Sequence, residues 1–278
     1  MEKQEDIPLF TFKPSKHFKR ENIIKTKLSC DEHECFVLSN VFTKDECNQL
    51  IDQGEKAGFQ SLSKSYSPKY RNNERIINLN PTLRNIMWER IESFIEDTLI
   101  LGKTHETIHL TPLTEGTWKK YGLNERFRLC KYNPTNFFKS HYDEGYHPDP
   151  IALRTLKTCM VYLNEDFEGG ETIFYMKGLK PIALKPKIGM CLIFNQKILH
   201  EGATVTKGLK YFIRNDIYYK RTTKRVIELM DSEKSAIELY KCGVNLENQG
   251  DSIGALNCYI KASKMCSDVA DLYNHFAK

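Results

Sequence analysis

No stretch of the 278 residues approaches the roughly 20 consecutive apolar positions that a membrane-spanning helix needs. Met1 to Asp6 is charged and lacks the apolar core of a secretory signal, so export is not expected. Cysteine pairs at metal or redox spacing are missing as well. The nine cysteines are odd in number and scattered, with no Cys-x-x-Cys among them. They read as reduced, mostly buried thiols of a cytoplasmic or nuclear protein. Charge of one sign is scarce too, with a net charge of only +5. The densest basic cluster, Lys220, Arg221, Lys224 and Arg225, reads as a solvated linker rather than a binding face, which disfavours a nucleic-acid partner. What is left is an ordinary globular composition, 40% hydrophobic and 28% charged, long enough for one large domain and a small one.

Residues 1–29 are rich in Lys, Glu and Thr without a clear period, and a flexible start is expected there. Cys35 to Leu38 reads as a strand. Thr43 and Glu46 form a capping box ahead of a helix carrying Cys47, Leu50 and Ile51, which ends near Gly54 to Gly58. Residues 61–80 are polar and read as a loop of the kind that flanks a site. Asn80-Pro81 opens a second helix with an apolar stripe of Leu83, Ile86, Met87, Ile91, Phe94 and Ile95. Residues 97–117 look irregular, and His105 and His109 within them have helix-compatible spacing without further support as ligands. From Trp118 to Tyr219 short β-type runs recur between turn signals such as Asn133-Pro134, Gly169-Gly170 and Lys207-Gly208. That rhythm predicts a sandwich or jelly roll rather than alternating βα units.

Within this region stands His141-Tyr142-Asp143. Residues i and i+2 of a strand share a face, so an imidazole and a carboxylate lie side by side. His200, at the end of the apolar run Cys191 to Phe194, supplies a second imidazole. Two His and one carboxylate on one face of a metal, with positions left open, is the ligand set of non-haem Fe(II) oxygenases. His-x-Asp alone is a weak signal. Zinc hydrolysis is chemically open to the same trio, but it leaves unexplained Lys210, ten positions after His200, where a buried cation suits the distal carboxylate of a dicarboxylate cosubstrate. His147 reads as a residue of the pocket rim.

The order of these residues resembles the Fe(II)/2-oxoglutarate-dependent dioxygenases, in particular the prolyl 4-hydroxylase-type catalytic domain, over residues 35–219. The resemblance is carried by Arg128, Tyr132, Phe137, His141 and Asp143, then Thr158 with Tyr162-Leu163-Asn164, then Phe167 and Gly169-Gly170-Glu171-Thr172, Pro186 and Gly189, and His200-Glu201-Gly202 with Lys210. It implies an α+β chain: a double-stranded β-helix with N-terminal support helices and a C-terminal helical appendage. It implies His141, Asp143 and His200 as iron ligands, Lys210 as the anchor of 2-oxoglutarate, and Tyr132 and Thr158 as further cosubstrate contacts. Fe(II), 2-oxoglutarate and O₂ are then required, with ascorbate as reductant. The expected reaction hydroxylates a C–H bond of a substrate, a protein side chain such as prolyl, and releases succinate and CO₂. Asp143 in place of Gly or Ala favours hydroxylation over halogenation. The turn Asn133-Pro134-Thr135-Asn136 departs from the family, which has a glycine-containing turn there. Oxidative demethylation of nucleic acid and an inactive fold acting as an interaction protein are the rival readings.

Residues 234–267 resemble one tetratricopeptide repeat, with Gly243, Ala255, Tyr259 and Ala262 at its small and aromatic positions and Gly250-Asp251 at its turn. Asp271-Leu272-Tyr273 resembles the start of a next repeat. A single repeat cannot bury its own face, so this segment is expected to dock on the catalytic domain or to bind a protein partner. The expected organisation is a flexible segment at 1–29, a dioxygenase domain at 30–221 and a helical segment at 232–278.

Overall fold

The structure is a computed structural model that describes residues 10–30, 34–101, 115–223, 229–266 and 268–269. Its first part holds β1 (Ile24–Lys27), β2 (Cys35–Ser39), α1 (Lys44–Ala57), β3 (Gln60–Ser61), β4 (Glu74–Leu79), α2 (Pro81–Ile91), β5 (Thr98–Leu101) and β6 (Gly116–Leu123). Then come β7 (Arg126–Tyr132), β8 (Phe138–His141), β9 (Leu153–Tyr162), β10 (Glu168–Gly169), β11 (Thr172–Tyr175), β12 (Ile182–Leu184) and β13 (Cys191–Asn195). The chain continues with β14 (Leu199–Gly202), β15 (Val205–Lys207), β16 (Lys210–Arg221), α3 (Asp231–Asn248) and α4 (Ser252–Met265).

The strands pair antiparallel throughout. One sheet runs β1-β2-β13-β9-β16-β7-β4-β3, with β6 on β16 and β5 on β6. A second runs β12-β11-β14-β8, and β10 pairs β15. The large sheet has two working faces because its central strands alternate. From β7, β9, β13 and β16, the residues Phe127, Leu129, Cys159, Val161, Cys191, Ile193, Tyr211 and Ile213 pack on the helix side. Their neighbours Cys130, Tyr132, Met160, Tyr162, Leu192, Phe194 and Phe212 pack on Phe174 of the second sheet. One face is thus sealed by α1 and α2, and the other closes against the small sheet to form the jelly roll. The fold is the double-stranded β-helix with support helices and a C-terminal helical pair that the sequence implied.

The capping box at α1 forms: Glu46 N–H donates to Thr43 Oγ1 and Thr43 N–H donates to the Glu46 carboxylate. The same carboxylate is fully buried and ion-paired with Arg90 of α2 at 2.7 Å. It also accepts from Ser15 N–H at 2.8 Å. With Gln53 accepting from Thr11 N–H and Gln49 from Lys13 N–H, three α1 side chains hold alternate residues of an extended strap. Phe10 and Phe12 of this strap, and Ile23, are buried in the core. Residues 10–29 therefore depart from the expected flexible segment. Their anchors lie in a helix more than 30 positions away, beyond the reach of local pattern. Residues 61–80 depart from the expected loop, since Glu74–Leu79 pairs with β7 along its whole length. Glu, Arg and Asn interrupt the apolar alternation that would have marked it. Within 97–117, β5 and the start of β6 are strand. His105 and His109 lie outside the described residues, as do Lys224, Arg225 and Asp271-Leu272-Tyr273.

Gly169 and Gly170 both adopt left-handed backbone, φ 72° and 68°, where β10 turns toward β11. A Cβ on Gly169 would stand 2.3 Å from the Thr204 carbonyl oxygen. The turn at 133–136 carries Thr135 at φ 74°. That conformation favours glycine and strains a β-branched residue. It is held by Thr135 N–H on the Val205 carbonyl and Asn136 N–H on the Asn133 carbonyl. All nine cysteines are free, and seven are buried. Among the described residues no helix is long and apolar enough to cross a membrane.

Candidate metal centre

β8 and β14 pair so that His141 and His200 stand directly opposite each other. Their ring centroids are 4.3 Å apart. His200 is therefore on a strand of its own, separated from β13 by the turn 196–198, rather than at the end of the apolar run. Asp143 lies two residues past His141, where the strand has ended but the chain stays pinned: its N–H donates to the Gln196 carbonyl at 3.2 Å. The three potential ligand atoms lie within 4.8 Å of one another.

The imidazoles are oriented by their own strands. His141 Nδ1 contacts the Lys139 carbonyl at 2.7 Å and His200 Nδ1 the Ile198 carbonyl at 2.9 Å. A carbonyl only accepts, so each Nδ1 carries the proton and each Nε2 presents a lone pair. The two Nε2 atoms flank the Asp143 carboxylate at 3.7 and 3.8 Å. Burial pushes the His200 imidazolium down to about 4, against the pull of Asp143, so the ring is neutral at neutral pH. Burial opposes ionisation of Asp143 as well, but Arg214 at 3.1 Å and the two imidazoles hold its carboxyl well below the usual carboxylate range. Two imidazoles and one carboxylate thus converge, and this donor set fits Fe(II). Aromatic rings wall the cluster. Phe138 stacks on His141 at 3.5 Å, and Phe194 meets His200 edge-on at 4.7 Å.

The centre opens into a pocket walled by the large sheet, with about 490 Å³ of free space including its mouth. Lys210, on β16, is 1% exposed. Its ammonium donates to the Gly170 carbonyl at 2.7 Å and lies 5.3 Å from the Tyr132 ring centre. Burial pulls its pKa down to about 8, with Cys130 and Glu171 partly offsetting that. Tyr132 is on the pocket wall. Thr158 is not. It lies behind the centre, with its hydroxyl donating to Asp143 Oδ2 at 2.6 Å. The structure thus gives Thr158 the orientation of the carboxylate as its visible contact. His147 is buried and lies outside the pocket lining.

Several pocket residues carried no assignment from the sequence. Arg214 bridges Asp143 and Asp216, at 3.1 Å to each, and Arg128 pairs with Asp216 at 2.7 Å. For Arg214 the signal was available in β16, where Lys210, Phe212 and Arg214 alternate with Tyr211 and Ile213. Arg71 was hidden in the polar stretch before β4. Its guanidinium lies 4.2 Å over Phe138, and its Nε donates to Asn73.

Comparison with known proteins gives a family match over one segment of the chain. Residues 127–217 match the family model described as the 2OG-Fe(II) oxygenase superfamily. The chain is 29% identical over 110 residues to prolyl 4-hydroxylase 1 of Arabidopsis thaliana, covering 31% of this chain and 38% of that protein. It thus spans well under half the length of this curated relative. Among solved structures it is similar to the viral collagen prolyl hydroxylase of Paramecium Bursaria Chlorella virus-1, at 23% identity, 69% coverage of this chain, 99% of that chain and TM-score 0.42. It is also similar to a Pseudomonas putida prolyl-4-hydroxylase, at 12% identity, coverages of 69% and 95%, and TM-score 0.45. A Trichoplax adhaerens prolyl hydroxylase solved with a hypoxia inducible factor peptide matches at 16% identity, coverages of 67% and 83%, and TM-score 0.48. The segment that matches the 2OG-Fe(II) oxygenase superfamily model, residues 127–217, contains His141, Asp143, His200 and Lys210.

Proposed function

We propose that the protein is an Fe(II)- and 2-oxoglutarate-dependent dioxygenase that hydroxylates a C–H bond of a protein side chain, with proline as the first candidate. The observation that carries this reading is the set of His141, Asp143 and His200, converging within 4.8 Å and opening into the pocket that holds Lys210. Iron and 2-oxoglutarate, with O₂, would supply the oxidant, with succinate and CO₂ as co-products. His141 and His200 would hold the metal through Nε2, and Asp143 through a carboxylate oxygen. Lys210 would exchange its bond to the Gly170 carbonyl for the distal carboxylate of 2-oxoglutarate. Tyr132 flanks that ammonium, and the surrounding rings of Tyr162 and Phe212 exclude water, which strengthens the ion pair. Arg214 and Thr158 fix the Asp143 carboxylate, which otherwise could swing away from the two imidazoles.

Support for proline comes from the curated Arabidopsis relative, whose name states that chemistry. The pocket wall argues against a nucleic-acid demethylase. Its cations are mostly consumed internally: Arg128 and Arg214 by Asp216 and Asp143, and Lys210 by Gly170. Arg71 lines the pocket, and among the described residues its terminal N–H groups show no hydrogen-bond partner, a position suited to a carbonyl or carboxylate of a peptide. A helical segment at 232–278 that binds a protein partner, and ascorbate as reductant, belong to the same proposal.

The test supplies Fe(II), 2-oxoglutarate and ascorbate and measures succinate. Turnover above the His141→Ala variant is expected, and its absence would remove the enzyme reading. Mass spectrometry of a cell extract treated with wild type or variant then identifies peptides that gain one oxygen atom only with the wild type.

A further inference from the structure

The C-terminal hairpin sits on the segment that follows the proposed iron strand. Tyr146 and Ile151, from the stretch between β8 and β9, pack into the hairpin's core of Ala236, Ile237, Tyr240, Val244, Ala255, Tyr259 and Ala262. Two polar contacts fix the register of this docking. Asn248 Nδ2 donates to Tyr146 Oη at 2.9 Å, and Lys241 pairs with Asp149 at 2.9 Å.

From Tyr146 a buried chain of hydrogen bonds leads inward. Tyr146 N–H donates to Thr155 Oγ1 at 2.8 Å, and Thr155 N–H donates back to the Tyr146 carbonyl at 2.9 Å. Thr155 Oγ1 meets the Gln196 amide at 3.3 Å. Gln196 then touches the metal centre twice: its carbonyl accepts from Asp143 N–H, and its Nε2 donates to Asp216 Oδ1 at 3.3 Å. The same Asp216 oxygen holds Arg214, whose guanidinium orients Asp143. Thr155, Gln196 and Asp216 are all at most 2% exposed, so water does not substitute for these bonds.

We propose that the hairpin is a clamp on the 144–153 segment, and that Gln196 is a positioning residue through which the clamp sets the place of Asp143. The proposal rests on the assignment of Asp143 as a metal ligand. A hairpin that merely decorates the surface would leave metal affinity untouched. A clamp makes that affinity depend on side chains remote from the metal, because the segment between β8 and β9 has almost no regular structure to hold it.

The test uses the full chain and Mn(II) as the probe, with free Mn(II) measured by electron paramagnetic resonance. Combined Asn248→Ala and Lys241→Ala substitutions are expected to weaken Mn(II) binding about 2- to 30-fold. Tyr146→Phe, which keeps the ring and removes the acceptor, should weaken it at the low end of that range. Gln196→Met should weaken it about 10- to 100-fold, as for other groups that support a ligand. Leu256→Ala, on the outer face of α4, serves as control and should leave the affinity unchanged. Hydrogen exchange in the metal-free protein should quicken across 143–156 in the double variant. Unchanged Mn(II) affinity in the double variant or in Gln196→Met overturns the clamp while the metal site stands. Failure of the wild type to bind Mn(II) in a His141-dependent way overturns the site and the clamp together.

Discussion

The jelly roll and the C-terminal hairpin solve the same problem, burying an apolar face, by opposite means. Every site residue in the jelly roll is brought in by long-range pairing. His141 meets His200 across 59 positions through the β8–β14 register. Lys210 and Arg214 are placed by a strand that bonds β6, β7 and β9 at once. The hairpin's two helices instead join near neighbours, with only Tyr146 and Ile151, among the described residues, reaching their core from the jelly roll. Gly243 lets Tyr259 approach so closely that an added Cβ would stand 2.6 Å from its ring. The first arrangement fixes atoms precisely but fails as a unit. The second can open locally at small cost to the rest.

The contrast is broken most severely at the ligands. His200→Ala should abolish metal binding while leaving the fold in place, measured by Mn(II) titration beside far-ultraviolet circular dichroism. Next comes Lys210→Met. Removing the cation that meets a buried carboxylate costs on the order of 2–5 kcal/mol, so 2-oxoglutarate binding should weaken roughly 30-fold or more by calorimetric titration. The pH dependence has a definite sign. Burial lowers Lys210 from 10.5 to about 8, so between those values the unfolded chain holds a proton that the folded chain has released. This group therefore makes the ligand-free protein more stable as pH rises through that window. With Lys210 in its proposed role as the anchor, binding of 2-oxoglutarate should weaken as pH rises above about 8, and Lys210→Met should lack that slope.

Smaller effects sharpen the comparison from the hairpin side. Gly243→Val should overpack the Tyr259 contact and destabilise the hairpin by about 1–3 kcal/mol. Faster hydrogen exchange should be confined to 231–265 and the docked 144–153 segment, with β9 and β16 unchanged. Thr135→Gly should act in the other direction. It relieves about 1–2 kcal/mol of left-handed strain and gives back part of that as unfolded-chain entropy, for a net gain near 1 kcal/mol in chemical denaturation. Leu256→Ala, on a side chain 45% exposed, should change stability by about 0.5 kcal/mol or less.

What the sequence made legible follows the same divide. The α1 cap, both α2 and the C-terminal helices, and most central strands are written in local pattern. That His141, Asp143 and His200 belong together, with Lys210 nearby, was readable from order and residue type. Local pattern failed where a partner is distant. The strap 10–15 depends on Glu46, Gln49 and Gln53; β4 is a strand because β7 lies beside it; and Thr158 turns to Asp143 because β9 runs behind the centre. The glycine missing from the turn before β8 was visible in sequence, but that Thr135 nevertheless takes the left-handed conformation was not.

β16 has one more consequence, which concerns chain length. On it, Lys210, Phe212, Arg214 and Asp216 face the pocket and its support, while Tyr211, Ile213 and Ile217 face the helices. A one-residue slip in a strand reverses both faces. A single deletion in the 208–209 turn would therefore aim tyrosine and isoleucine at the metal centre and send lysine and arginine into the oily side. A single deletion at the 249–251 turn of the hairpin inverts nothing. Next to β16, a length change keeps the two faces only in steps of two.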